Sequence, residues 1–326
     1  MSEQAPVDRA HALLEAGKAQ AAVDLLVAAA KGGDGGALYE LALWHVYGNP
    51  VPRSFAVARQ LFGKAGEAGH RDGALTHAVF VALGAGAPAD WRAAHALIDQ
   101  LAAGCPMAAR QRDLIAAMAL TAKGDAAHPP VSEVLSTNPR IAVARALFTP
   151  DECAHIAALS TPAMRPSVVV DPATHRQIPH PIRTSDGTVL GPIQQDLVVH
   201  ALDRRLAAAT GTRVEQGEPL TVLRYAAGQQ YRLHHDCLPG EANQRVITAI
   251  VYLNDGYDGG ATHFPAAGLE FRGAVGDAII FANTLPDGRV DERSRHAGLP
   301  IARGEKWICT RWIRAQDFDP WGMRGG

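Results

Sequence analysis

Residues 225–240 read YAAGQQYRLHHDCLPG and set two imidazoles and a carboxylate in succession, at His234, His235 and Asp236. Side chains of an extended strand alternate between faces, so on a strand His234 and Asp236 point one way and His235 the other. If a metal is bound here, it meets the His-x-Asp pair and His235 is a bystander. Two ligands make a weak site, so a third must come from elsewhere. His296, in SRHAGLPIARGEKWICTRWIR, is the candidate. Two histidines and one carboxylate on one face leave three coordination positions open, the arrangement of non-haem Fe(II) oxygenases. In a chain with 14 histidines an H-x-D triplet also arises by chance, so its meaning depends on its surroundings.

Those surroundings look like a β-rich frame. PLTVLRY, YRLHHD, RVITAIVYL, GDAIIFA and EKWICTRWIR are short runs rich in Val, Ile, Thr and aromatics, separated by Gly- and Pro-containing turns. Such spacing predicts a β-sandwich or barrel-like roll. Two helices precede these runs: TPDECAHIAAL, with Thr149 as N-cap and Pro150 in the first helical position, and QQDLVVHALDRRLAAATG.

The first 125 residues have a different texture. Helix follows helix, rich in Ala and Leu, each closing in or near Gly. Ala37, Ala74 and Ala108 open similar units at a period of about 34–37 residues, the range of helical-pair solenoids. KGDAAHPPVSEVLSTNPR, residues 123–140, has a linker's composition. The domain expectation is repeats over 1–125, a linker over 126–138, a second domain over 139–316 and a tail over 317–326.

With 31 Lys/Arg against 33 Asp/Glu the net charge is −2, and neither half is basic. No nucleic-acid or membrane partner is expected. Cys105, Cys153, Cys237 and Cys309 are scattered, without a CxxC pair. With no signal-like N-terminus, this leads to the expectation of a reduced, cytoplasmic protein.

Several pieces, in order, resemble the prolyl 4-hydroxylase family of Fe(II)/2-oxoglutarate-dependent dioxygenases from about Leu147 to Arg314: RTSDG, EPLTVLRYAAGQQYRLHHD, QRVITAIVYLND, GGATHF, GDAIIF, SRHAG and WICTRWIR. The resemblance implies a double-stranded β-helix (jelly roll) with supporting helices, so the whole chain is expected to be multidomain α + β, with the all-α repeats first. It implies His234, Asp236 and His296 as Fe(II) ligands, and Lys306, ten residues after His296, as partner of the far carboxylate of 2-oxoglutarate. Tyr225 and Thr262 fall on positions that hydrogen-bond the co-substrate. Tyr231 and Arg245 fall with the catalytic set, and Arg183, Ser185, Glu218 and Trp312 with the substrate-binding set. Fe(II), 2-oxoglutarate and O2 are the implied cofactors, with ascorbate as a reductant. Position 314 is Arg where members of the family can carry His, which bears on substrate preference. In the N-terminal part, Ala37, Leu41, Gly48, Ala58, Lys64, Ala65 and Gly69 resemble the Sel-type, tetratricopeptide-related repeat, with Leu61 in place of its Trp.

The leading expectation is a hydroxylase of proline in a peptide or protein, with the repeats recruiting the substrate. The alternatives are an oxygenase acting on a free amino acid, a metabolite or another side chain, and a non-catalytic repeat scaffold. Tyr252 is either pocket lining or core, and residues 167–185 are either a lid or an exposed loop.

Overall fold

The computed structural model describes residues 5–170, 177–179 and 182–321, the side chains of 169–170 and 177–179 aside. Two units emerge. One comprises Met1–Asp125, Gln195–Ala201 and Trp321–Gly326; the other comprises Ala126–Gln194 and Leu202–Pro320.

The helical unit contains α1 (Pro6–Glu15), α2 (Ala19–Lys31), α3 (Gly35–Tyr47), α4 (Phe55–Glu67), α5 (Arg71–Leu83), α6 (Trp91–Ala102) and α7 (Pro106–Ala117). Its starts are chemical: the side chains of Asp34, Ser54 and Asp90 accept the backbone N–H three residues on. His70 does the same through Nδ1, from Gly73 N. Gly48 and Gly84 close α3 and α5 at φ 73° and 74°, where a Cβ would be strained. Asp34 and His70, Ser54 and Asp90, and Gly48 and Gly84 are each 36 residues apart, so caps and stops recur with the repeat. Between the helices, small buried residues (Ala37, Ala58, Ala65, Ala94) admit close approach, and Phe62 meets Phe80 edge-on at 4.9 Å. Two distant segments complete this unit. Leu197 N donates to the buried Gln111 Oε1, and the Trp321 ring lies 4.6 Å from Phe55 and 5.4 Å from Phe80.

The second unit is built on an eight-stranded antiparallel sheet. Its strand order is Glu133–Thr137, Arg140–Ala144, Ala278–Ala282, Arg245–Tyr252, Lys306–Arg314, Leu220–Tyr225, Asp186–Leu190, Arg165–Pro166. A four-stranded sheet runs Leu269–Phe271, Thr262–Phe264, His296–Gly298, Tyr231–His234. The two sheets share one core. Leu223, Ile250, Tyr252, Phe281 and Ile308 come from the larger sheet, and Phe264 and Phe271 from the smaller. This is the double-stranded β-helix arrangement. The supporting helices are α8 (Pro150–Ser160) and, from Leu202 on, α9 (Leu197–Thr210). Thr149 caps α8 with a full capping box to Glu152. Arg311 of the larger sheet forms a buried ion pair with Asp203 of α9.

The stretch expected to be a linker is partly a strand. Glu133–Thr137 pairs antiparallel with Arg140–Ala144 around a turn at Asn138 and Pro139. The Asn-Pro dipeptide is the turn, and Val134 and Leu135 are the strand formers that a Pro-rich composition had masked. Of the segment 167–185, Val168–Val170 pairs with Gln177–Pro179, while 171–176 and 180–181 lie outside the described residues. No helix among the described residues is long and apolar enough to cross a membrane.

Candidate active site

Two strands of the smaller sheet bring the distant histidines together. His234 ends one strand, His296 begins the next, and the two are opposite each other in the antiparallel register. Their rings lie 4.3 Å apart. Asp236 sits two residues past the end of its strand and still reaches the same point. Its Oδ1 is 3.6 Å from His234 Nε2, and its Oδ2 is 3.8 Å from His296 Nε2. One ligand atom from each residue lies within 4.8 Å of the others, and all three residues are buried. His235 is not part of the cluster.

The tautomers are set from behind. His234 Nδ1 bonds Arg232 O at 2.7 Å, and His296 Nδ1 bonds Ser294 O at 3.1 Å. A carbonyl can only accept, so each Nδ1 donates outward and each Nε2 faces the cluster, where it could offer its lone pair to a metal. Burial pulls His296 down to about 4, against the opposing pull of Asp236, which keeps it neutral near pH 7. Burial by itself would raise the Asp236 carboxyl, but His296, His234 and Thr248 outweigh it and hold it well below the usual range. Two imidazoles with Nε2 turned inward and one carboxylate, each fixed in place, suit a divalent transition metal with open positions.

Thr248 and Asn283 belong to this site, although their roles were not foreseen. Thr248 Oγ1 donates to Asp236 Oδ2 at 2.6 Å, and Asn283 Nδ2 donates to Thr248 Oγ1 at 2.8 Å. The signal was present in RVITAIVY: stepping back by twos from Tyr252 places Ile250 and Thr248 on its face, and a Thr on an otherwise apolar inward face needs a partner.

The cavity beside the cluster is lined by Tyr225, Tyr231, Thr262 and Lys306, by Trp312, and by apolar Leu223, Ile250, Ile301 and Ile308. Lys306 is buried and donates to Gly260 O at 2.6 Å. Burial, and next the nearby Arg272, pull its ammonium down to about 7. Among the described residues no carboxylate pairs with it. A buried cation of this kind, in a cavity shared with the metal-type cluster, fits the far carboxylate of a short dianion. Thr262 Oγ1 and Tyr252 Oη are 2.6 Å apart, and Tyr252 is core as well as support for Thr262. Tyr225 is buried and faces Ser185, and burial raises its hydroxyl.

The remaining candidates gather around Tyr231 and Trp312. The Tyr231 ring stacks on His234 at 3.5 Å, and the Arg183 guanidinium lies 5.5 Å over Tyr231. The Arg245 guanidinium lies 4.0 Å over the Trp312 ring and forms a bidentate pair with the buried Glu218. Strand alternation from Thr248 would turn Arg245 to the opposite face. A bulge intervenes: Ile313 pairs with Ile247 but Arg314 pairs with Arg245, so Val246 is the extra residue that re-aims Arg245. Ser185 is buried, with its hydroxyl 3.0 Å from that of Ser167. His263 is half-buried near Glu270, outside the cluster.

Residues 220–314 match the sequence model of the 2OG-Fe(II) oxygenase superfamily. Prolyl 4-hydroxylase 5 of Arabidopsis thaliana is 37% identical over 210 residues, covering 57% of this chain and 72% of the plant protein. Prolyl 4-hydroxylase 1 of the same plant is 35% identical over 201 residues, covering 56% and 71%. Among solved structures, the viral collagen prolyl hydroxylase of Paramecium Bursaria Chlorella virus-1 aligns with a TM-score of 0.44 at 24% identity, over 54% of this chain and 96% of its own. The family uses Fe(II), 2-oxoglutarate and O2, and the buried His-Asp-His set suits the first of these. The chain is an oxygenase and belongs to the prolyl 4-hydroxylase-like family of 2-oxoglutarate- and Fe(II)-dependent dioxygenases.

Proposed function

We propose that the chain hydroxylates proline in a peptide or protein, and that the candidate residues divide that task as follows. His234, Asp236 and His296 would hold Fe(II) through the two Nε2 atoms and the carboxylate. Lys306 would hold the far carboxylate of 2-oxoglutarate, with Thr262 and Tyr225 on the same cavity wall. Fe(II) with 2-oxoglutarate and O2 supplies the oxidant that inserts one oxygen atom into a substrate C–H bond, while 2-oxoglutarate becomes succinate and CO2. With a carboxylate in the ligand set, no protein-ligand position is left for a halide, which favours hydroxylation.

The protein's own contribution is placement. Arg232 O and Ser294 O keep both imidazoles oriented, and Thr248 keeps the carboxylate from rotating. Leu223, Ile250, Ile301 and Ile308 exclude water from the reacting centre. Tyr231, Arg245 and Trp312 would receive the substrate backbone, with Arg183, Ser185 and Glu218 behind them. The helical repeats would add a recruiting surface for a protein substrate, since stacked helical pairs present extended faces.

The observation that carries this reading is one cavity lined by the His-Asp-His set, a buried lysine and a stacked Trp, in a chain 37% identical over 210 residues to a plant prolyl 4-hydroxylase. The test is anaerobic titration with Fe(II) and 2-oxoglutarate, followed by O2 and a panel of proline peptides beside free proline. A visible charge-transfer band, succinate release and a peptide heavier by one oxygen atom are expected. A band with no proline substrate turned over would move the assignment to another substrate class.

A further inference from the structure

We propose that Arg314, acting through Glu218 on Arg245, makes this chain selective for substrates with a carboxylate beside the reacting residue; this rests on reading the cavity mouth as the substrate site. Alternation along the Lys306–Arg314 strand puts Lys306, Ile308, Thr310 and Trp312 on the cavity face, and Arg314 is the next residue on that face. Glu218 Oε1 accepts from Nε of both Arg245 and Arg314, each at 2.6 Å, while Oε2 accepts from Arg245 Nη2 at 2.7 Å. Arg314 is buried and anchored: Nη1 donates to Asn243 O at 2.6 Å, and the Phe318 ring lies 5.2 Å from its guanidinium carbon.

The charges decide what this does. One carboxylate facing one guanidinium is a neutral pair. Here the single buried carboxylate serves two guanidiniums, so the cluster is a cation. Glu241 approaches Arg314 at 3.9 Å, but its side chain is 42% exposed and solvent screens it. Asp236 lies in the metal-type cluster, where an Fe(II) ion would neutralise it. Arg245 does not itself line the cavity, but it lies against Trp312, which does, so the excess charge sits at the cavity's edge. Arg245 Nε and Nη2 are committed to Glu218, its plane lies over Trp312, and Nη1 makes no hydrogen bond within the protein among the described residues. Trp312 and Tyr231 both line the cavity, and Arg245 acts electrostatically on Tyr231. A substrate carboxylate meeting Nη1 would gain a charge-assisted bond that a neutral amide would not match. That carboxylate has two sources, an acidic side chain next to the proline or the end of a chain. Arg314 is therefore a positioning residue: it holds Glu218 and offsets its charge without touching the substrate.

The test uses the full chain with Fe(II) and 2-oxoglutarate under anaerobic conditions. Calorimetry would compare C-terminally amidated Ala-Pro-Asp with Ala-Pro-Asn, Ala-Ala-Asp with Ala-Ala-Asn, and Ala-Pro with a free or an amidated end. The acidic member of at least one kind of pair should bind about tenfold tighter in the wild type. Arg314→Gln should bring that ratio close to one, while Arg314→Lys keeps most of it. Loss of packing alone would weaken both members equally, so the ratio is the readout, and 2-oxoglutarate affinity reports an intact fold. If only the free-ended pair discriminates, the carboxylate is a chain end; if only the Asp pairs do, it is a side chain. Equal binding within every pair, or no binding of any member, overturns the inference. The alanine pairs keep it separate from the proline reading: an Asp preference without proline turnover leaves this inference standing and removes that one. If Arg314→Gln does not fold, the wild-type ratio and Arg314→Lys still decide it.

Discussion

Thr248 donates to Asp236 Oδ2 across 2.6 Å while accepting from Asn283 Nδ2, so the carboxylate of the cluster is held by a two-residue relay buried under it. The relay leaves Oδ1 on the His234 side. Removing the hydroxyl at constant shape, Thr248→Val, frees the carboxylate to rotate and deprives Asn283 of its acceptor. Fe(II) affinity should fall about 10–100-fold, the usual cost of losing an outer partner of a metal ligand. Thr248→Ser should recover most of it. Anaerobic Fe(II) titration decides, and a Thr248→Val protein that binds metal like the wild type would sink the relay.

The adjacent histidines give a sharper contrast. His234 lies opposite His296 in the strand register and His235 lies outside the cluster. His234→Ala should abolish measurable Fe(II) binding, and His235→Ala should leave the binding midpoint within about twofold, as for a residue outside the ligand set. Equal losses from the two variants would mean that the ligand assignment is wrong.

Some of this was legible in the residues and some was not. Alternation told His234 from His235, although the strand ends at His234 and a bulge against His296–Gly298 brings Tyr231, three residues away, onto the same cavity as His234. Arg245 shows where alternation stops. The bulge at Val246 reverses its face, and a bulge depends on pairing between strands far apart in sequence. Thr248 was readable from its face but not its partner, because Asp236 reaches it only once two strands have closed on the site. The helical unit was readable from its caps and glycines, yet Trp321 joins it from the other end of the chain, a placement no local pattern encodes.

That placement predicts a stability effect. The Trp321 ring lies against Phe55 and Phe80, which start α4 and line α5. Ending the chain at Pro320 removes this aromatic contact from the helical unit alone. The helical unit should lose about 1–3 kcal/mol, the range for burying one large side chain. Denaturant unfolding followed by far-ultraviolet circular dichroism measures it, and Trp321→Phe should restore part of the loss. An unchanged midpoint for the truncated chain would show that the ring adds nothing.

Lys306 predicts opposite pH trends for stability and for co-substrate binding. Its ammonium is pulled from 10.5 down to about 7 by burial, with Arg272 next. Between pH 7 and 10.5 the unfolded chain therefore holds the proton that the folded chain has released. Its contribution to stability rises with pH across that window. A 2-oxoglutarate carboxylate at Lys306 favours the charged form and raises this value again. Binding above pH 7 must then take up a proton, and affinity falls as pH rises, by up to about tenfold per pH unit. Calorimetry at pH 8, in two buffers of different ionisation enthalpy, should show uptake approaching one proton, and Lys306→Met should abolish it. Uptake of no proton by the wild type would place the dianion away from Lys306.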